Sequence, residues 1–118
     1  MIYHITSRAE WEAARARGEY VAPSLAGEGF IHCSTAGQVP HVANAFYRGR
    51  TDLVLLVIDE TATGSEVRWE PPAGPPAAGI SEADLFPHIY GPIDLQAVIR
   101  TLDFQPDSAG TFAPPPVE

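Results

Sequence analysis

The stretch LVLLVI, residues 53–58, is a run of six apolar residues flanked by Asp52 and Asp59. A strand that is covered on only one face alternates apolar and polar residues, whereas a strand that is covered on both faces is apolar throughout. The run is far too short to cross a bilayer, for which a helix needs about 20 residues. It therefore predicts a central β-strand in a sheet that is covered on both faces.

The residues before this run predict a strand, a helix, a loop and a second strand. Residues 2–6, IYHIT, are β-branched and aromatic, as is typical of a strand. In the following SRAE, Ser7 and Glu10 have the spacing of a capping box, and the helix that they begin is expected to stop at Gly18. Residues 20–29 contain Pro and Gly and are predicted to form a loop.

A second helix and several short strands complete the pattern. The strand FIHCS is followed by apolar residues at helical spacing, namely Val39, Val42, Ala43, Phe46 and Tyr47. Further strands are predicted in EVRWE, FPHIYGPI and AVIRTLDF. This order predicts an α+β fold, in which two main helices pack on a mixed or antiparallel sheet.

The length of 118 residues corresponds to one domain. We expect a single compact domain over residues 1–105, interrupted by a Pro- and Gly-rich connection over residues 71–84. Residues 106–118 are rich in Pro and are predicted to be a disordered tail.

Charge and composition limit the partners and the location of the protein. The net charge is −8, and the seven basic residues are all Arg. Because binding to nucleic acid or to anionic membranes needs clustered basic side chains, we expect neither partner. The single cysteine excludes an intramolecular disulfide. The N-terminus does not have the pattern of a signal peptide, so a cytoplasmic location is predicted.

Three of the four histidines are each followed, two residues later, by a hydroxyl side chain: His4 by Thr6, His32 by Ser34 and His88 by Tyr90. Residues i and i+2 of a strand point to the same face, so each segment presents an imidazole beside a hydroxyl. If the three strands are neighbours, the pairs converge on one cleft. A single histidine in a strand is more often a hydrogen-bonded structural residue, and that alternative stays open.

Alternation separates Cys33 from its neighbour His32 and places the thiol on the apolar face, as a core residue. Three histidines could also form a zinc site with an open position. Local metal motifs bring two ligands close in sequence, and none occurs here, so no metal is expected. Glu70 shares a strand face with Arg68, and an ion pair between the two is predicted.

Several stretches taken together resemble one bacterial family, domain-of-unknown-function family 952. They are IYHIT, APSLAGEGFIHCST, Gln38, VANAFYRG, DLVLLVID and FPHIYGPI, and they extend over residues 2–102. Members of that family are similar in fold to ADP-ribosyltransferases. The resemblance implies an ADP-ribosylation-like split β core with helices packed on it, and NAD held in a cleft.

The resemblance also implies roles for particular residues. His4 and Thr6 match the first motif of the superfamily and would bond to the ribose beside nicotinamide. GEGFIHCST resembles the second motif, with His32 in the position of a stacking aromatic residue and Ser34 or Thr35 as the hydroxyl. The third motif corresponds to PHIYGPI.

In that third motif, His88 or Tyr90 stands where the superfamily has Glu or Gln. Ile5 stands where a glycine is common. A positively charged imidazole would oppose the positive charge that develops as nicotinamide leaves, so ordinary protein ADP-ribosylation is not expected.

Three hypotheses follow from these residues. The first is an NAD-utilising or nucleotide-directed transferase with His4, His32 and His88 as catalytic residues and Thr6, Ser34, Thr35 and Tyr90 as binding residues. The second is a module that binds a nucleotide or another small molecule without turnover. The third is the three-histidine metal site.

Overall fold

The computed structural model describes residues 1–116. In chain order its elements are β1 (Ile2–Ser7), α1 (Arg8–Arg17), β2 (Glu19–Tyr20), α2 (Pro23–Glu28), β3 (Ile31–His32), α3 (Val39–Phe46), β4 (Leu53–Ile58), β5 (Glu66–Glu70), β6 (Phe86–Tyr90), β7 (Ile93–Asp94) and β8 (Val98–Phe104). A 3-10 turn, Leu95–Ala97, leads into β8.

The strand predicted from LVLLVI is β4, and it lies at the centre of a three-stranded antiparallel sheet between β1 and β8. All six of its side chains are buried. Val54, Leu56 and Ile58 pack into one hydrophobic cluster, and Leu53, Leu55 and Val57 pack into a second cluster on the other face. The prediction of a central strand that is covered on both faces is therefore confirmed.

A second three-stranded antiparallel sheet has the order β3-β6-β5. It joins the first sheet at a single β-bridge, in which Tyr3 of β1 and Ser34 exchange two backbone hydrogen bonds of 2.8 and 2.7 Å. β2 and β7 form a separate two-stranded antiparallel ladder. The bridge matters for the site because it brings the first strand of the chain beside the segment that contains His32.

Helix α1 begins and ends as its sequence predicts. The hydroxyl of Ser7 accepts a hydrogen bond of 3.1 Å from the backbone amide of Glu10. Gly18 ends the helix in the left-handed conformation, with φ of 97°, and donates its amide to Ala14. A residue with a Cβ is strained in that conformation, which is why glycine is the usual stop.

The prediction of a loop over residues 20–29 is wrong. Tyr20 belongs to β2, and the segment contains the six-residue helix α2. Pro23 lies in the first turn of that helix and Gly29, with φ of 88°, follows its last residue. The same Pro and Gly that suggested a loop therefore mark the two ends of a helix, since Pro favours the first helical position and Gly the position after the last.

Residues 105–116 contain no helix or strand, yet they lie against the body of the protein. Phe112 is buried in the second hydrophobic cluster and stacks on Phe104, with ring centroids 4.8 Å apart. The side chain of Asn44 accepts from the backbone amide of Phe112 and donates to its carbonyl. Over these residues the structure differs from the predicted disordered tail because one aromatic side chain anchors the segment; residues 117–118 lie outside the described part of the chain.

The whole is a single α+β domain, as predicted, and its sheets are antiparallel rather than mixed. The radius of gyration of 13.4 Å matches the value of about 13 Å for a compact chain of this length. Among residues 1–116, no helix has the length and apolar character that a membrane span requires.

Candidate functional site

The three histidines of the His-x-hydroxyl pairs come from three strands and line one cavity of about 640 Å³. His32 of β3 and His88 of β6 are directly opposite each other in the second sheet. His4 of β1 is brought to them by the bridge between Tyr3 and Ser34. The fold thus assembles residues that are separated by 28 and 56 positions in the sequence.

The imidazole of His4 is buried, and both of its nitrogens are hydrogen-bonded. Nδ1 lies 2.5 Å from the backbone carbonyl oxygen of His32, and Nε2 lies 2.8 Å from the hydroxyl of Tyr20. Because a carbonyl can only accept, Nδ1 carries the proton. Burial lowers the pKa of His4 to about 4, so the ring is neutral at pH 7 and its Nε2 accepts from the Tyr20 hydroxyl.

The direction of the next hydrogen bond follows from this assignment. The hydroxyls of Tyr20 and Thr6 are 2.9 Å apart and buried. The single proton of the Tyr20 hydroxyl is donated to His4, so its oxygen accepts from the hydroxyl of Thr6. The result is a continuous chain of hydrogen bonds from Thr6 to the backbone of β3, with no nitrogen of His4 left free for a ligand.

His88 is buried like His4, but only one of its nitrogens has a partner. Its Nδ1 donates a hydrogen bond of 2.8 Å to a carboxylate oxygen of Glu70. The ring of Phe30 stacks on the imidazole at 4.3 Å between centroids and an interplanar angle of 25°. The remaining nitrogen, Nε2, bonds to no group in residues 1–116, and no buried side-chain nitrogen or oxygen in that range lacks a partner. Nε2 is therefore accessible, and His88 is one of the residues that line the cavity.

His32 lies at the mouth of the cavity, and 43% of its side chain is exposed. Its Nε2 is 2.6 Å from a carboxylate oxygen of Glu28 in α2. The His32 and His88 rings meet edge to face, with centroids 5.6 Å apart. The imidazoles of His32 and His88 are thus each hydrogen-bonded to a glutamate.

The predicted binding hydroxyls divide into two groups. Thr6 and Ser34 are buried and line the cavity. Thr35 and Tyr90 do not line it. Thr35 instead exchanges hydrogen bonds with Gln38 before α3, and the hydroxyl of Tyr90 donates to Glu70 at 2.5 Å. These two residues have no direct route to a ligand in the cavity.

The rest of the cavity lining is largely apolar. It includes Val42 and Phe46 of α3, the following Tyr47, and Pro72, Pro75 and Pro76 of the Pro-rich connection. Within residues 1–116, Arg50 is the one arginine of the lining, and its guanidinium is engaged by both carboxylate oxygens of Asp52, at 3.0 and 2.7 Å. Glu10 is the one carboxylate among the described lining residues. A ligand of the cavity would therefore meet hydroxyl and imidazole groups as well as apolar side chains and rings.

The predicted ion pair between Arg68 and Glu70 is not formed. Arg68 pairs with Glu66 at 2.9 Å and lies over the ring of Tyr90 at 4.4 Å. The Glu70 carboxylate instead accepts hydrogen bonds from His88 and Tyr90. All of these side chains share one sheet face, and alternation by itself cannot tell which of them pair.

Comparison with known proteins places the chain in a family. The sequence profile described as protein of unknown function (DUF952) matches residues 5–101. The chain belongs to the DUF952 family. None of the curated proteins matches it.

Solved structures of one protein from Caulobacter crescentus share the fold. The crystal structure of protein CC0527 from Caulobacter crescentus is 34% identical, with a TM-score of 0.80 over 95% of this chain and 92% of that chain. The solution NMR structure of CC0527 is 35% identical, with a TM-score of 0.75 over 93% of this chain and 89% of that chain. The DUF952 match contains His32 and His88 and begins one residue after His4.

The DUF952 chain shows two further features that bear on its chemistry. Cys33 is buried among apolar side chains, which raises the pKa of its thiol, so the prediction of a core cysteine is confirmed. Within residues 1–116, no group of three or more His, Cys, Asp or Glu side chains is placed to hold a metal ion. The metal hypothesis also conflicts with His4, whose two nitrogens are both engaged.

The sequence analysis misses two residues of this site, Tyr20 in the predicted loop and Phe30 at the start of a predicted strand. It includes Glu70 but predicts Arg68, and not His88, as its partner. The useful signal for Glu70 is its position: it shares a face with Glu66 and Arg68 on a strand that pairs with the His88 strand.

Proposed function

We propose that the cavity binds a nucleotide of the NAD type and that the protein is an NAD-utilising transferase with a core of the ADP-ribosyltransferase kind. The observation that carries this proposal is the convergence of His4, His32 and His88, from three strands, on one cavity. Two of the three histidine-associated hydroxyls, those of Thr6 and Ser34, lie in the same lining.

The size and character of the cavity support a ligand of this class. Its volume of about 640 Å³ lies within the range of roughly 300–1,000 Å³ that is usual for small-molecule sites. The rings of Phe46 and Tyr47 in its lining suit a flat heteroaromatic ring. Its hydroxyl and imidazole groups suit ribose hydroxyls. NAD, when bound, would supply a glycosidic bond to nicotinamide that can be broken.

The histidines take different roles in this proposal. His88 lines the cavity, only its Nδ1 is engaged among residues 1–116, and it is the residue best placed to take up or deliver a proton. His32 is at the mouth and contacts the ligand through an exposed ring. His4 is assigned a positioning role rather than contact with ribose, since it holds the His32 backbone and Tyr20.

The second candidate is a module that binds a nucleotide without turnover. One observation favours it: the one carboxylate among the described lining residues, Glu10, belongs to α1 and not to the third motif strand. A carboxylate that stabilises positive charge on ribose is therefore not supplied where the transferase superfamily has it. Measurement of binding and of nicotinamide release separates the two candidates.

The test is calorimetric titration of the protein with NAD and with ADP-ribose, followed by an assay of nicotinamide release. Binding of either compound at millimolar concentration or below is expected. His88→Ala should weaken it at least tenfold, which corresponds to about 1.4 kcal/mol. His41→Ala is the matched control, because the fourth histidine is exposed and does not line the cavity.

Release of nicotinamide supports the transferase, and binding without release supports the binding module. If neither compound binds, or if His41→Ala weakens binding as much as His88→Ala does, the proposed ligand class is wrong.

A further inference from the structure

One face of the second sheet carries a row of polar side chains that β5 and β6 bring together. On β5 these are Glu66, Arg68 and Glu70, and on β6 they are His88 and Tyr90. The register pairs Glu66 with Tyr90 and Arg68 with His88 across the strands. Glu70 is one step further along, so its side chain has to reach diagonally across the face to meet His88, a distance that long side chains span.

The Glu70 carboxylate binds two donors through the same oxygen. Nδ1 of His88 donates at 2.8 Å and the hydroxyl of Tyr90 donates at 2.5 Å. These two hydrogen bonds, that of Tyr90 first, lower the pKa of Glu70, so the group is ionised at neutral pH. The competing cation, Arg68, is held by Glu66. Glu70 is therefore available to the histidine and is not neutralised by an arginine.

The His88 ring is fixed on three sides. Phe30 covers one ring face, His32 meets the ring at an angle of 71°, and Glu70 binds the Nδ1 edge. Because the carboxylate only accepts, the proton of a neutral His88 ring is on Nδ1. The lone pair is then on Nε2, the nitrogen of this cavity-lining residue that has no partner within residues 1–116.

We infer that Glu70 is a positioning residue that fixes the tautomer of His88 and thereby makes His88 a general base toward a ligand in the cavity. This inference takes only the identity of the ligand from the proposed function. In the step itself an O–H or N–H bond of the ligand breaks and its proton passes to Nε2. The imidazolium that forms is stabilised by the ionised Glu70, which keeps no proton of its own.

The inference has a structural test that does not require the ligand to be known. Nitrogen-15 NMR of the intact protein, at a pH where the imidazole is neutral, distinguishes a protonated ring nitrogen from one with a lone pair. His88 is expected to show protonated Nδ1 in the wild type. Glu70→Ala should remove this pattern, while Glu12→Ala, which deletes an exposed carboxylate of α1 that pairs with Arg15, should leave it unchanged.

Protonated Nε2 in the wild type would overturn the inference, and so would a Glu70→Ala spectrum with the same His88 tautomer. If Glu70→Ala fails to fold, Glu70→Gln gives a second route, because its amide keeps the shape and loses the charge. A hydrogen bond to the charged carboxylate shifts the His88 Nδ1 proton resonance downfield. This downfield shift should be lost in Glu70→Gln.

The catalytic consequence is measured separately. If the protein releases nicotinamide, Glu70→Gln should lower kcat by about 10²-fold or more, within the usual range for loss of acid–base catalysis, and change KM by less than about threefold. An unchanged kcat would overturn the inference. If the wild type releases no nicotinamide, the proposed function fails, but the NMR result still decides whether Glu70 positions His88.

Discussion

The buried imidazole of His4 connects three parts of the chain at one point. It bonds to the backbone of β3 through one nitrogen and to Tyr20 of β2 through the other, while Tyr20 bonds to Thr6. A neutral ring satisfies all of these bonds. Protonation would place a charge in the core and would force the Tyr20 hydroxyl to turn, so the arrangement depends on His4 staying neutral.

This dependence predicts a loss of stability in acid. The pKa of His4 is about 4 in the folded protein, below the ordinary value of 6.5. As the pH falls below 6.5 the unfolded chain takes up a proton that the folded chain does not, so the free energy of unfolding decreases. Each pKa unit corresponds to about 1.4 kcal/mol, which gives a loss of about 3 kcal/mol between pH 6.5 and pH 4.

The measurement is chemical denaturation of the wild type and of His4→Gln at several pH values. His4→Gln should lower stability at neutral pH, and its free energy of unfolding should fall less steeply in the acid range. The difference between the two slopes isolates His4 from the other groups that titrate there. Equal slopes would show that His4 is already protonated at neutral pH or that it is not buried.

At the scale of the elements, most boundaries follow from local chemistry. The cap at Ser7 and the stop at Gly18 set the limits of α1, and Pro23 and Gly29 set those of α2. α3 has a reciprocal pair of hydrogen bonds between Thr35 and Gln38 just before its first turn. Each boundary depends on residues within a few positions of it.

The α1 cap supplies a direct prediction. Ser7→Ala removes the acceptor of the Glu10 amide and should lower the free energy of unfolding by about 1 kcal/mol. Ser7→Asn keeps an acceptor at the same position, so its free energy of unfolding should stay within about 0.3 kcal/mol of the wild-type value. Denaturant titration of the three proteins measures both. The cap would carry no stability if the alanine variant were as stable as the wild type.

At the scale of the whole molecule, residues 105–116 close the second hydrophobic cluster. Phe112 is 3% exposed and stacks on Phe104 of β8, although no regular element surrounds it. The side chain of Asn44 in α3 holds the backbone at the same position. This segment therefore contributes to the core, even though its composition is typical of a tail.

The contribution can be measured with two phenylalanines that differ in burial. Phe112→Ala should destabilise the protein by about 3–5 kcal/mol, as is usual for removal of a buried aromatic ring. Phe46→Ala removes a ring that is 67% exposed and should cost about 0.5 kcal/mol or less. Thermal or denaturant unfolding gives both values. Equal effects of the two changes would mean that residues 105–116 do not dock as the structure has them.

Local sequence predicted the elements better than their partners. The buried β4 run, the α1 cap and the separation of Cys33 from His32 all depend on spacing over one to ten residues, where the geometry of helix and strand is fixed. His32 and Ser34, which the same rule predicts to share a face, both line the cavity. The local prediction failed for residues 20–29, where Pro and Gly delimit a helix instead of excluding one.

The sequence by itself determined that LVLLVI forms a covered central strand, that the chain makes an α+β domain and that His4, His32 and His88 are each followed two residues later by a hydroxyl side chain. Only the tertiary structure decided that β1 pairs with Ser34, that His4 is hydrogen-bonded to Tyr20, and that Glu70 binds His88 instead of Arg68. Those contacts join residues that are 16 to 31 positions apart, through strand register and bridge formation. Register depends on which sheets pack together, and short-range periodicity carries no information about that choice.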